Sequence, residues 1–322
     1  MATDTPPKTL VEAVRYFAVP ENCLSYLVAT RWPGGVSCPH CHSQGVYFDK
    51  TRMGWICKSQ HPKRKFSLKT GTIFEDSPIG LDKWLPAVWI IAGAKNGISS
   101  HELARALGVT QKTAWFMLHR IRLAMQSKGG GKLGGEVEVD ETPIRGKDRN
   151  MHAGKRAERI KGSRDVRSKT AVFGLLERNT ATKTSRVRTT VVRTRRRGEL
   201  QTQIEKHVED GSKVYSDALP SYDHLSFYYQ HQVIDHSECY VQGEVHTNGI
   251  ENFWALLKRG IGGTYVSVEP FHLFRYLDEQ AFRFNERAGN DADGFRTAIT
   301  NIVGPRLTYD ALIGESNRAD RP

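Results

Sequence analysis

A change of sequence period at Gly135 constrains this chain more than any other feature. From Glu136 onward, Val137 and Val139 alternate with Glu136, Glu138 and Asp140, the pattern of a half-buried strand. TAVFGLLE (170–177) and SRVRTTVV (185–192) read as two further strands, and ELQTQIEKHV (199–208) as a helix. KVYSDAL (213–219) is a strand, HQVIDH (231–236) another, and helices follow from about Gly249 and after Pro270. Three successive strands followed by alternating helix and strand predict a mixed α/β sheet domain.

Acids stand at the ends of two of these strands. EVEVD ends at Asp140 and KVYSD at Asp217, and HTNGIENFWALLKRG (246–260) puts Glu251 near the start of a helix. Asp140 lies 76 residues before Asp217, counting only those between, and 33 separate Asp217 from Glu251. Three carboxylates on such elements can hold two divalent cations side by side. Each also has a plainer reading: strand-end aspartates serve turns, and Asn248 with Glu251 fits a helix capping box. Lys258, seven residues past Glu251, falls on roughly the same helix face, where it could hold a phosphate.

The charge balance names the partner class. The 322 residues carry a formal net charge of +12, with a pI near 9.5. Residues 145–200 alone hold eighteen Lys and Arg against five Asp and Glu, so the excess is concentrated. That points to a polyanion, nucleic acid above all, since no basic amphipathic helix points to a membrane surface. Arg193, Arg195, Arg196 and Arg197 are the sharpest cluster, with a solvated charge run as the plain alternative. No apolar run approaches the roughly 20 residues that span a bilayer, and the N-terminus lacks a secretory pattern. A cytoplasmic protein is expected.

Upstream of Gly135 the chain is divided differently. CPHC (38–41) and CKSQH (57–61) offer Cys38, Cys41, Cys57 and His61 as four ligands for a structural Zn2+, with His40 or His42 competing for the fourth place. Three clustered thiols at this spacing favour metal over disulfides. GISSHELARALGVTQKTAWFMLHRIRLAM (97–125) reads as two helices around a turn at Gly108, with Ser99 or Ser100 capping the first and Thr110 the second. Gln111, Lys112 and Thr113 then open a recognition helix for DNA, unless the pair is an ordinary helical hairpin. The expected organisation is a helical lead-in (1–30), a zinc ribbon (31–75), a helix-turn-helix region (76–127), a glycine-rich linker (128–135), the sheet domain (136–290) and a C-terminal tail (291–322).

At this point the chain resembles insertion-sequence DDE transposases of the ISXO-like group. The likeness rests on CPHC, TGTIFEDSPIGLDKW (70–84), KTAWFMLHRIR (112–122), VDETPIRGK (139–147), YSDALPSY (215–222) and HTNGIENFWALLKR (246–259), in that order. It implies a ribonuclease-H-like mixed-sheet catalytic domain preceded by a zinc ribbon. It also implies that Asp140, Asp217 and Glu251 are catalytic ligands of two Mg2+ (or Mn2+) ions, with Lys258 as the accompanying basic, DNA-contacting residue. The implied activity is cleavage and transfer of double-stranded DNA at transposon ends and target, by at least a dimer when two ends are synapsed. Two alternatives are a transposase-derived DNA-binding protein without catalysis and a metal-dependent nuclease that cleaves without joining. The Cys-x3-His half of the ribbon departs from the usual Cys-x2-Cys.

Overall fold

The computed structural model describes residues 5–127, 131–144, 170–234, 246–266, 268–304 and 306–314. Lys128 at the head of the glycine-rich segment, the basic stretch 145–169, Cys239 and the last residues of HQVIDH lie outside the described residues. The chain forms two compact units, one of residues 1–94, 98–126 and 289–322, the other of 95–97 and 127–288.

The first unit opens with α1 (Leu10–Phe17), whose N-cap Thr9 accepts from the Glu12 amide, and α2 (Pro20–Arg31), which begins on a proline suited to the first helical turn. A three-stranded antiparallel sheet follows: β1 (Val46–Asp49), β2 (Gly54–Cys57) and β3 (Lys65–Phe66). So small a sheet has little apolar mass. It relies on Trp55, stacked on Phe66 at 5.8 Å between ring centres and flanked by Phe48 and Trp32. α3 (Leu81–Gly93) buries Trp84, Leu85, Val88, Trp89 and Ile91, so it is core on most sides.

α4 (Ser100–Leu107) and α5 (Gln111–Ala124) form a helix pair. Ser99 caps the first, Thr110 caps the second, and Gly108 turns the chain between them at φ 61°. The C-terminal tail opens with the helix α9 (Asp291–Thr300), which packs on α3 in this unit. Its Phe295 meets Phe17, Tyr26 and Trp89 at ring-centre distances of 5.6, 5.7 and 4.9 Å. The short α10 (Tyr309–Ile313) ends the described chain.

The second unit is built on five strands: β4 (Glu136–Ile144), β5 (Thr170–Glu177), β6 (Arg186–Val192), β7 (Lys213–Asp217) and β8 (Gln230–Ile234). Their order in the sheet is β6-β5-β4-β7-β8, with β4, β5 and β6 antiparallel and β7 and β8 parallel to β4. This is the mixed sheet of the ribonuclease-H-like class. The period of two divides its side chains between two cores. On one face Val137, Val139, Phe173, Leu175 and Val214 pack with Leu200 and Ile204 of α6 (Arg197–His207). On the other, Val172, Leu176 and Val187 pack with Ile250, Phe253, Trp254 and Leu257 of α7 (Asn248–Arg259) and with Leu273 and Leu277 of α8 (Leu273–Asn285).

Candidate active site and metal-ligand cluster

Strand parity brings two of the three expected acids to one place. β4 and β7 pair in parallel with Val137 opposite Val214 and Glu138 opposite Tyr215. Asp140 and Asp217 each lie two residues beyond the last of these pairs, at the same ends of neighbouring strands, and the charge of Asp217 is felt at Asp140. Val137 and Val214 face α6, so Glu138, Asp140 and Asp217 project toward the face that α7 covers. Glu251 lies in the first turn of α7.

Asp140 is tightly held. Its Oδ2 accepts the Trp254 indole N–H at 2.8 Å and its Oδ1 accepts the Glu141 amide at 2.8 Å. Burial first, then the neighbouring Glu141 carboxylate and in smaller part Asp217, push its carboxyl up to about 7, against the opposing Trp254 hydrogen bond. Glu141, absent from the expected set, is itself raised, chiefly by burial and also by Asp217. Its Oε2 accepts the Tyr222 hydroxyl at 2.6 Å, and Arg195 stands 3.8 Å from its Oε1. Asp140 and Glu141 are thus both reluctant to ionise, and each feels the charge of Asp217, so a divalent cation placed among them would relieve the repulsion.

Glu251 is exposed, and its Oε1 accepts the Thr247 hydroxyl at 2.9 Å. The Asn248–Glu251 capping box does not form, because the N-cap is Thr247. The helix start is held from the sheet instead: the Ile250 amide donates to Glu138 Oε2 at 2.8 Å. Glu138 is buried and also accepts from Arg178 Nε at 2.8 Å, while Arg178 donates to the His246 carbonyl. A buried carboxylate there complements the positive end of the helix. Alternation in EVEVD could have exposed this role, since Glu138 shares a face with Asp140. Lys258 is exposed in the last turn of α7.

The expected DNA contacts are spread more widely. Gln111 and Lys112 are exposed at the start of α5; the Gln111 amide donates to Ser100 Oγ at 2.8 Å, and the Lys112 ammonium sits 4.7 Å from the Tyr309 ring centre. Thr113 is half-buried, its amide bonded to the Thr110 cap. Arg193, Arg195, Arg196 and Arg197 are all exposed around the start of α6. Of these, Arg195 reaches Glu141, and Arg197 lies 3.4 Å from Asp223.

In the first unit Cys38, Cys41, Cys57 and His61 present donor atoms that all lie within 4.8 Å of one another. Cys38 Sγ lies 3.5 Å from His61 Nε2, and Cys41 Sγ lies 3.6 Å from Cys57 Sγ. A tetrahedral ion with thiolate bonds of about 2.3 Å spaces its donors about 3.8 Å apart, so the set fits zinc. Of the competing histidines, His61 is the one in the cluster.

A model of the ISXO2-like transposase domain matches residues 132–285, and one of the transposase zinc-ribbon domain matches residues 20–59. An uncharacterized protein in transposable element ISH50 of Halobacterium salinarum is 25% identical over 275 residues, spanning 82% of this chain and 90% of that protein. An uncharacterized transposase-like protein of Haemophilus influenzae is 35% identical over 83 residues, 26% of this chain and 67% of that protein. With its ribonuclease-H-like sheet and its ribbon matched in order along the sequence, the chain belongs to the family of ISXO2-like insertion-sequence transposases.

Proposed function

We propose that this protein is a DNA transposase that binds transposon terminal repeats and catalyses metal-dependent strand cleavage and strand transfer on double-stranded DNA. The observation that supports it most is the placement of Asp140 and Asp217 at the same ends of neighbouring strands, on the sheet face that α7, with Glu251, covers. Asp140, Asp217 and Glu251 would hold the divalent ions, Mg2+ or Mn2+. Such ions, when bound, activate the attacking oxygen and stabilise the leaving one.

The chain's own residues set the stage for two displacements. Asp140 is oriented by Trp254 and the Glu141 amide, and Arg195 and Lys258 hold phosphate oxygens nearby. In the first displacement a water oxygen bonds to phosphorus, the P–O3′ bond breaks, and the freed 3′-oxygen takes a proton. In the second that 3′-hydroxyl attacks a target phosphodiester, whose own 3′-oxygen leaves. One phosphodiester is exchanged for another, so transfer needs no nucleotide triphosphate.

Gln111, Lys112 and Thr113 at the start of α5 would meet DNA as the front of a recognition helix. Arg193, Arg195, Arg196 and Arg197 would neutralise phosphates, giving an affinity that falls steeply with salt. Cys38, Cys41, Cys57 and His61 would hold a structural Zn2+, whose binding stabilises a sheet too small to fold by burial alone. Metal analysis checks that: Cys57→Ser is expected to lose zinc, and unchanged zinc content would refute the assignment. Among the described residues no helix is long and apolar enough to cross a membrane, and the reading places the protein in the cytoplasm on DNA. Joining two ends calls for at least two copies.

The decisive experiment incubates purified protein with labelled terminal-repeat DNA and Mg2+ or Mn2+. Nicked and then joined products are expected from the wild type, and neither from Asp217→Ala. Binding without any cleavage would leave a DNA-binding protein; cleavage that survives Asp217→Ala would overturn the acid assignment.

A further inference from the structure

A buried tryptophan at helical spacing is ordinarily core, and Trp254 is 3% exposed among Ile250, Phe253 and Leu257. Its indole N–H is a different matter. A buried indole needs a hydrogen-bond partner, and this one donates to Oδ2 of Asp140 at 2.8 Å, across 114 residues of chain. Oδ1 of the same carboxylate accepts the Glu141 amide at 2.8 Å. With one N–H on each oxygen, the carboxylate plane is fixed and each oxygen keeps one lone pair.

The ring is seated where only a glycine permits it. Gly174 lies opposite Asp140 on β5, and a Cβ built there would stand 2.5 Å from Trp254 Cζ2 and 2.6 Å from Cη2. The sheet is thus cut away beside Asp140 to admit the indole. Glu251 sits three residues earlier on the same helix, nearly one turn away. The indole bond therefore acts with the Glu141 amide on the angle of the Asp140 carboxylate, and with the Ile250–Glu138 bond on the approach of the helix that carries Glu251.

We propose that Trp254 is a positioning residue for the metal site: its indole N–H orients Asp140 so that the remaining lone pairs face the ions, and ties α7 to β4 at the working distance of Glu251. This rests on the reading of Asp140 as a metal ligand. Partners that orient a metal ligand through its second oxygen or nitrogen commonly contribute about 10–100-fold in metal affinity.

The test is a Mn2+ titration of the full chain, followed by calorimetry or electron paramagnetic resonance, without DNA. Four proteins are compared: wild type, Asp140→Asn, Trp254→Phe, and a chain in which residue 254 carries a benzothiophene side chain. The last keeps the shape of the indole and replaces its N–H with sulfur, so it separates the hydrogen bond from the packing if Trp254→Phe folds poorly. Mn2+ binding about 10–100-fold weaker in the benzothiophene protein, with an unchanged thermal midpoint, is the expected result. Wild-type affinity in that protein would overturn the positioning role while leaving the metal site intact. Wild type and Asp140→Asn binding Mn2+ alike would instead remove the underlying reading, and this proposal with it.

Discussion

Asp140 ionises near 7 in the fold, against an ordinary 3.8, because burial and two neighbouring carboxylates disfavour its charge. The folded state therefore binds that proton more tightly than the unfolded chain, and ionisation costs stability. That cost is absent below about pH 4, grows as the pH rises toward 7 and stays in full above it. The thermal midpoint without divalent ions is expected to fall between pH 5 and pH 8, and Mg2+ should restore more of it at pH 8 than at pH 5. Calorimetric melts of wild type and Asp140→Asn check this; an equal pH dependence in both would exclude Asp140 as the source. The aspartate itself was legible as a strand-end acid, since alternation and position are local. Its partner Trp254 was not, because the indole meets it through a tertiary contact across 114 residues that spacing does not encode.

Helix α7 shows the same division at the scale of an element. Its existence is legible from the sequence, and the structure adds its apolar face at Ile250, Phe253, Trp254 and Leu257. Its anchoring is not legible there. The residues near its start suggest a local capping box, yet the amide of Ile250 is satisfied by Glu138, 112 residues away on β4. A buried carboxylate paired with Arg178 outcompetes a solvent-exposed cap, since an unpaired buried charge would be far more costly than an unfilled cap. Gly174 is the other half of this anchoring. Gly174→Ala is expected to destabilise the second unit by about 1–3 kcal/mol, through overpacking against Trp254. It should also displace the indole from Asp140; a chemical denaturation midpoint equal to that of wild type would show that the helix has room to move.

At the scale of the whole molecule, the strands of the sheet unit and their sequence were read nearly in full, because each half-buried or buried strand carries its own period. The described chain returns to the first unit at residues 291–300, which form α9 on α3. No local pattern announces that return, since what decides it is a gap among Phe17, Tyr26 and Trp89 that Phe295 fills. Phe295→Ala is expected to lower the stability of the first unit by about 3–5 kcal/mol. Hydrogen exchange should then rise in α1 to α3 and leave β4 to β7 unchanged; protection lost equally in both units would argue against the assignment. The connectivity also has a consequence in time. The first unit's core needs residues from both sides of the sheet unit, so during synthesis it stays open until the ribosome has passed the sheet and released Phe295. Premature termination anywhere in the sheet yields a ribbon and helix pair over an incomplete core, suited to proteolysis, and stable occupancy by the first unit falls to chains translated through both.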